Sequence, residues 1–337
     1  MTASRDHPDS VVIHVGTHKT GTTAIQASLA NARSTLLDRG VLYPEAGRGR
    51  HPGHVHLAWQ ARNDSRQDPV AGGTEEVVNE TREFSPRTVL LSSEEFLVES
   101  MRTSSWAAQL AERLGDLVMH VIGYVRPQWE YMESIYVQSV KGGAVTETFD
   151  DFVVRNLDHR RFDYPRLFSP WADVCDVLTV RPYRKDQLLG HDIVEDFWHT
   201  VDALPWPPLA RGQRLNERPG AKATEMLRAI GQKVAEKKPP FPGQVLADAR
   251  RIIADELTDD VPFRALTWDH VLLIYEHFLA RNELFIERFM PEMSADVFEL
   301  PETLESPIRW SLQMASPSEI DVFKHVLRHT LSLMESD

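Results

Sequence analysis

Residues 16–23 read GTHKTGTT, and they stand between the apolar run SVVIHVG (10–16) and a helical pattern from Thr22 to Arg39 that Gly40 closes. A buried strand that runs through a glycine-containing loop straight into a helix opens a β-loop-α unit. Gly16 and Gly21 are five apart, so the backbone N–H groups between them can face a concavity backed by the helix N-terminus, which is a place for a phosphate. A loop of this kind built for a nucleoside triphosphate has lysine directly after the second glycine. Here Thr22 takes that place and Lys19 stands three residues earlier. ATP brings several negative charges and needs Mg²⁺ and that lysine to neutralise them. A phosphosulfate has fewer, and one lysine with a ring of amides suffices without metal.

Outward from this loop the pattern repeats. Apolar runs at 87–93 (RTVLLSS), 117–125 (LVMHVIGYV) and 176–183 (DVLTVRPY) read as further buried strands. Helical stretches separate them, including SSWAAQLAERLG and an amphipathic run from Pro127 to Lys141. Strands alternating with helices of this length predict an α/β fold, a doubly wound parallel sheet flanked by helices. Residues 44–72 are rich in Gly, Pro, Arg and His and read as a surface excursion around a short helix, HVHLAWQAR. After Leu204 the segments LPWPPLA and KKPPFPG punctuate the chain, and helices are predicted near 221–235, 245–257, 269–286 and 317–333. The expected organisation is an α/β core over 10–204 and a mostly helical C-terminal extension over 205–337.

Of the 337 residues, 37 are Lys or Arg and 50 are Asp or Glu, a net charge of −13. That balance disfavours nucleic acid and anionic membranes as partners, so any polyanion is held locally. The one cysteine, Cys175, forms no internal disulfide, which points to a reducing, cytoplasmic setting. No signal peptide and no integral membrane contact are expected, because MTASRDHPDS is polar and no window approaches eighteen apolar residues.

In Lys19, Gly21, Thr22 and Thr23 the loop resembles the P-loop sulfotransferases that use 3'-phosphoadenosine 5'-phosphosulfate (PAPS), whose 5'-phosphosulfate loop reads Lys-x-Gly-Thr-Thr after the first strand; the HKTGTT form is most similar to bacterial members. The family's second signature is an Arg at a later strand end with a Ser eight residues on. Arg126 and Ser134 in YVRPQWEYMESIY match that spacing. The resemblance covers about the first 185 residues and implies a transferase that binds PAPS as donor through Gly16, Thr17, His18, Lys19, Thr20, Gly21, Thr22 and Thr23, holds the 3'-phosphate with Arg126 and Ser134, releases PAP and requires no metal. Tyr183 resembles the Tyr against the adenine face in some relatives. The late basic Gly-containing segment that closes over the 3'-phosphate has only a loose counterpart in RLNERPGAK, 214–222.

Sulfuryl transfer needs a base for the acceptor proton, a cation at the leaving oxygen and donors around the sulfonate. Lys19 is the expected cation. Relatives place the base just past the strand after the phosphate loop, where this chain reads LLSSEEF (90–96), and Glu94 is the first carboxylate there. His54 and His56, in the excursion, are rival bases. His14 and the aromatics Trp129, Tyr131 and Tyr136 read as core. The acceptor is a small molecule, glycan or lipid carrying a hydroxyl or amine. Two other readings compete: an ATP-dependent P-loop small-molecule kinase, disfavoured by the missing Lys after Gly21, and a catalytically silent nucleotide-binding protein, which has no need of Lys19 and Glu94 together.

Overall fold

The computed structural model describes residues 7–115, 117–201, 219–257, 260–291, 295–308 and 310–335. In chain order the first elements are β1 (Ser10–His14), α1 (Thr22–Asn31), α2 (Arg33–Leu37), β2 (Val41–Leu42), α3 (Val55–Arg62), α4 (Thr74–Phe84) and β3 (Thr88–Ser92). There follow α5 (Ser100–Leu114), β4 (Val118–Val125), α6 (Gln128–Lys141), α7 (Phe149–Asn156), α8 (Tyr164–Ala172), β5 (Val177–Pro182) and α9 (Ile193–Val201). The later helices are α10 (Ala221–Lys237), α11 (Pro242–Glu256), α12 (Trp268–Phe289) and α13 (Pro317–Glu335). None of the described helices is long and apolar enough to cross a membrane.

The strands form one five-stranded sheet in the order β2-β3-β1-β4-β5, and every pairing is parallel. The α/β class and the parallel sheet flanked by helices stand as the sequence pattern implies. Burial explains why the strands read as continuous apolar runs: Val11, Val12 and Ile13 of β1 and Val89, Leu90 and Leu91 of β3 are all buried. A strand covered on both faces has no solvent side to alternate towards. Val12, Leu90, Ile122 and Tyr124 pack with Ile25 and Leu29 of α1 and Phe197 and Trp198 of α9. Away from that cluster, Phe96 stacks on Trp106 of α5 at 5.5 Å and meets Trp171 of α8 edge-on at 6.1 Å.

Because all strands run parallel, their C-terminal ends open on one edge. That edge receives the 16–23 loop from β1, the 93–95 segment from β3, Arg126 from β4 and Tyr183 from β5. Ligands of open α/β sheets bind at such an edge.

Two compact units interleave along the sequence. The sheet lies in the unit made of Met1–Pro127, Asp163–Leu215 and Phe278–Glu299. The other, Gln128–Phe162, Asn216–His277 and Leu300–Asp337, is helical. In it Trp129, Tyr131 and Tyr136 of α6 are buried core residues, and the Glu133 carboxylate accepts the N–H groups of Ala265 (2.7 Å) and Leu266 (3.2 Å). The expected junction at 204/205 lies outside the described residues, as does most of the 214–222 lid segment.

The excursion departs from expectation. Tyr43, His54, Leu57 and Ala58 within or beside it are fully buried, so 44–72 is part of the packed unit rather than a surface detour. Its Gly and Pro content signals tight turns, and the apolar face of α3 fixes it to the core.

Candidate functional site

The loop after β1 is stitched to the neighbouring strand before it turns. Val15 N–H donates to Ile122 O at 2.9 Å, and the Thr17 hydroxyl donates to Tyr124 O at 2.9 Å. Thr20 closes the turn by donating its hydroxyl to Thr17 O at 2.7 Å. Both hydroxyls donate to backbone carbonyls inside the protein, so the side chains of Thr17 and Thr20 hold the shape of the loop. The turn is sharp: Lys19 has φ 71° and Gly21 φ 74°, both left-handed. Glycine takes that conformation freely, and a lysine held there is positioned by its surroundings. A Cβ on Gly21 would stand 2.9 Å from Ile193 and 3.2 Å from the Tyr183 ring, so a larger residue is excluded by contact as well as by conformation.

Gly21 then serves as N-cap of α1 with no side-chain cap and no acidic residue in the first turn. Helix starts usually carry such a group to satisfy their exposed N–H donors. This one leaves them, with the positive end of the helix dipole, to the loop. Two buried polar atoms converge beneath it. Thr22 Oγ1 and His14 Nε2 have no hydrogen-bond partner, although Thr22 is 4% exposed and His14 is fully buried. Each lies 2.8 Å from the point where a Cβ on Gly16 would stand. Leaving such atoms unsatisfied costs about 1–3 kcal/mol apiece, a penalty that a bound anion or its hydrogen-bond network removes. Gly16 thus keeps open a space that any side chain would fill. His14 reaches Ser92 Oγ through Nδ1 at 2.8 Å, and burial pushes its pKa down to about 3, so the ring is neutral.

Arg126, from the end of β4, donates from Nη1 to Lys19 O at 3.1 Å. Its guanidinium lies 5.8 Å from the centre of the Tyr183 ring, and its own carbonyl accepts the Tyr164 hydroxyl at 2.6 Å. The structure therefore brings Lys19, Gly21, Arg126 and Tyr183 together from three separate stretches of the chain. Beneath them Asp196, buried, takes both Nε and Nη2 of Arg181 at 2.6 Å, the Tyr124 hydroxyl at 2.7 Å and the Leu189 N–H at 3.0 Å. This carboxylate ties β4, β5 and the segment after Tyr183 into one support, and nothing in the sequence singles it out. Ser134 sits in the second turn of α6, half-buried, in the helical unit.

At the end of β3, Ser93 caps a short 3₁₀ turn, Glu94–Leu97, by accepting Glu95 N–H at 3.2 Å. The two carboxylates of that turn have different surroundings. Glu94 accepts the side-chain amide of Gln26 on α1 at 2.9 Å. Glu95 accepts Arg62 Nη2 at 2.7 Å and Trp59 Nε1 at 3.3 Å. Burial alone raises the pKa of Glu95, but Arg62 together with the charges of His18 and Arg66 brings it below the ordinary value. Glu95 is thereby a held anion that also fixes the excursion. Gln26 lies four residues past Thr22, a helical spacing that puts both on one face of α1 and is the one sequence signal for it.

His54 does not fit the role of rival base. It is fully buried, Nδ1 accepts Ser92 N–H at 3.1 Å, and Nε2 bonds Pro44 O at 3.1 Å. With both nitrogens occupied by backbone and burial pushing its pKa to about 3, it neither reaches an acceptor nor takes a proton near neutrality. His56 is 7% exposed and accepts Asp68 N–H at Nδ1 at 3.1 Å. Burial lowers its pKa too, with the neighbouring His51 adding to the effect. Both belong to the packing of the excursion. No family model matches the chain, and no curated protein matches it.

Proposed function

We propose that this protein is a PAPS-dependent sulfotransferase with a P-loop, moving a sulfuryl group to an acceptor hydroxyl or amine. The observation that carries the reading is the bond from Arg126 to the Lys19 carbonyl. It joins, across 107 positions, the strand-end arginine of one signature to the backbone of the loop that carries the other. The orphaned hydroxyl of Thr22, the space kept by Gly16 and the uncapped start of α1 fit a 5'-phosphosulfate at the loop. PAPS, when bound, supplies the sulfuryl group that ends on the acceptor and leaves as PAP.

The chain's own residues then have distinct tasks. Amides of Gly21 to Thr23 and the Thr22 hydroxyl donate to anionic oxygens. Lys19 sets a cation where negative charge grows on the leaving phosphate oxygen as its bond to sulfur breaks. Arg126, with Ser134 on the helix that follows, serves the 3'-phosphate, and Tyr183 offers a ring face to the base. Glu94, steadied by Gln26, takes the acceptor proton at a carboxylate oxygen. With Cys175 as its one cysteine the protein works in a reducing, cytoplasmic compartment.

The deciding measurement is calorimetry in the presence of a chelator. The protein is expected to bind PAP without divalent metal and to ignore Mg²⁺-ATP. Tight Mg²⁺-ATP binding with none for PAP sinks the proposal in favour of a kinase.

A further inference from the structure

We infer that Gln26 is a positioning residue for Glu94 and that Gly53 seats it: a neutral amide wedged against a glycine backbone holds one oxygen of the proposed base and leaves the other to the acceptor. The inference deepens the sulfotransferase reading and rests on Glu94 being its base.

The two carboxylates at the end of β3 are held by different chemistry. Glu95 has a guanidinium on it, Arg62 at 2.7 Å, and a carboxylate paired with a cation gives up basicity. Glu94, half-buried, has the Nε2 amide of Gln26 on Oε2 at 2.9 Å. A neutral donor orients a carboxylate without neutralising its charge, and Oε1 is left to take a proton from the acceptor O–H or N–H. That proton moves as the acceptor atom bonds to sulfur and the bond from sulfur to the donor's phosphate oxygen breaks, its electron pair leaving with PAP. Only the NH₂ side of an amide can face a carboxylate, so the partner fixes which way Gln26 is turned.

Gln26 keeps that place because its surroundings leave little room. It is 4% exposed. Gly53 of the excursion backs it, and a Cβ on that glycine would collide with Gln26 Cδ, Nε2 and Oε1 alike. Gly53 is not among the glycines with positive φ, so close approach rather than conformation calls for glycine there. The backbone on either side is tied. Pro52 O accepts the Tyr43 hydroxyl at 2.7 Å, and His54 N–H donates to Ser92 O at 2.8 Å. A side chain added at 53 therefore displaces the Gln26 amide rather than the chain.

Single-turnover transfer from labelled PAPS to a phenol, an amino sugar and a long-chain alcohol is measured on full-length wild type, Gln26→Met, Gly53→Ala and the pair combined, together with PAP dissociation constants. Methionine keeps the reach of glutamine and removes the donor. Each single variant is expected to slow transfer roughly 10- to 100-fold with PAP affinity within about twofold of wild type. In the Gln26→Met background Gly53→Ala is expected to cost less than about twofold more, since the amide it displaces is gone. Gln26→Met is expected to add equally little in a Glu94→Gln background, a result that a merely structural role does not give. Transfer unchanged in both single variants, or losses that multiply in the pair, overturns the inference and leaves the sulfotransferase reading standing. A wild type that transfers to none of the acceptors removes the base role and the inference with it. Side-chain ¹⁵N spectra of the ligand-free protein cover the case in which Gln26→Met does not fold. The Gln26 Nε2 resonance is expected to move in both Gly53→Ala and Glu94→Gln, and a resonance that stays in place in either overturns the proposal.

Discussion

The two regions that follow the first and second strands treat their buried histidines and carboxylates differently. In the excursion, His54 has both ring nitrogens on backbone partners, and Glu80 accepts the N–H groups of Glu45 and Ala46 together with the Arg33 guanidinium. Arg62 serves Glu95 through backbone and carboxylate alike. The loop after β1 leaves Thr22 Oγ1 and His14 Nε2 unsatisfied and the start of α1 uncapped. Buried polar groups are nearly always paired. At the loop two such exceptions face one point, the place a Cβ on Gly16 would take, whereas both ring nitrogens of His54 are paired with backbone. Residue type does not distinguish the regions; the accounting of hydrogen bonds does.

The largest effects belong to the loop and its facing carboxylate. Glu94→Gln is expected to leave PAP binding intact and slow sulfuryl transfer by roughly 10²- to 10⁴-fold, about 3–5 kcal/mol. Lys19→Ala is expected to be at least as damaging. His54→Gln, by contrast, is expected to lower the melting temperature and leave the proposed transfer rate of the folded protein within about threefold. Single-turnover rates with a labelled donor check all three. A His54 variant that loses turnover while Glu94→Gln keeps it reverses the assignment of the two regions.

Next in size is Arg126→Ala. A charge-assisted hydrogen bond contributes about 1.5–3 kcal/mol, so the change is expected to weaken PAP by roughly 10- to 150-fold relative to AMP. Ser134→Ala does the same more mildly. The ratio of the two dissociation constants is the readout, since losing the Lys19 carbonyl contact disturbs both ligands alike and only a 3'-phosphate contact alters their ratio.

Histidine burial gives the comparison a pH dependence. His14 and His54 ordinarily titrate at 6.5, and burial holds them near 3. Between those values the unfolded chain binds protons that the folded chain refuses. Their stabilising contribution is thus complete above pH 6.5 and is lost as pH falls towards 3, at about 1.4 kcal/mol per pH unit for each ring. Urea unfolding of wild type and His54→Gln at pH 7, 6 and 5 is expected to show the variant's slope lower by one proton. Equal slopes mean that His54 is not held neutral in the fold.

Much of this edge was legible in the sequence because it is local. Strand ends, the glycine pair and the Arg126 position follow from apolar runs and punctuation, and the helices of the second unit fall within a few residues of the pattern. What was illegible depends on partners distant in sequence. Nothing near His54 announces the Pro44 carbonyl and Ser92 amide that saturate it, nor does anything near Asp196 announce Arg181 and Tyr124 as its partners. The excursion's turn-rich composition reads as surface, while the buried face of α3 shows only when packed. His14 was half legible: the strand position is right, and the orphaned nitrogen is a fact of three dimensions.

The smallest expected effect tests whether Tyr183 belongs with the loop or with the packing beneath it. Its ring covers Gly21, 3.2 Å from where a Cβ would stand, and lies under the Arg126 guanidinium at 5.8 Å. Both contacts use the face and edge of the ring rather than the hydroxyl. Tyr183→Phe is therefore expected to leave PAP affinity and melting temperature nearly unchanged. Tyr183→Ala removes a cation–π contact of about 0.5–1 kcal/mol at a half-exposed site, along with the cover of the loop. PAP affinity is expected to drop roughly two- to fivefold, by the same free-energy scale. If the ring also lies against the nucleotide base, adenosine-containing ligands weaken and inorganic pyrophosphate does not. If it acts only by propping Gly21 and Arg126, pyrophosphate weakens by the same factor. Titrating the two ligands against the Ala variant separates the outcomes, and a drop seen with Tyr183→Phe as well would assign the effect to the hydroxyl instead of the ring.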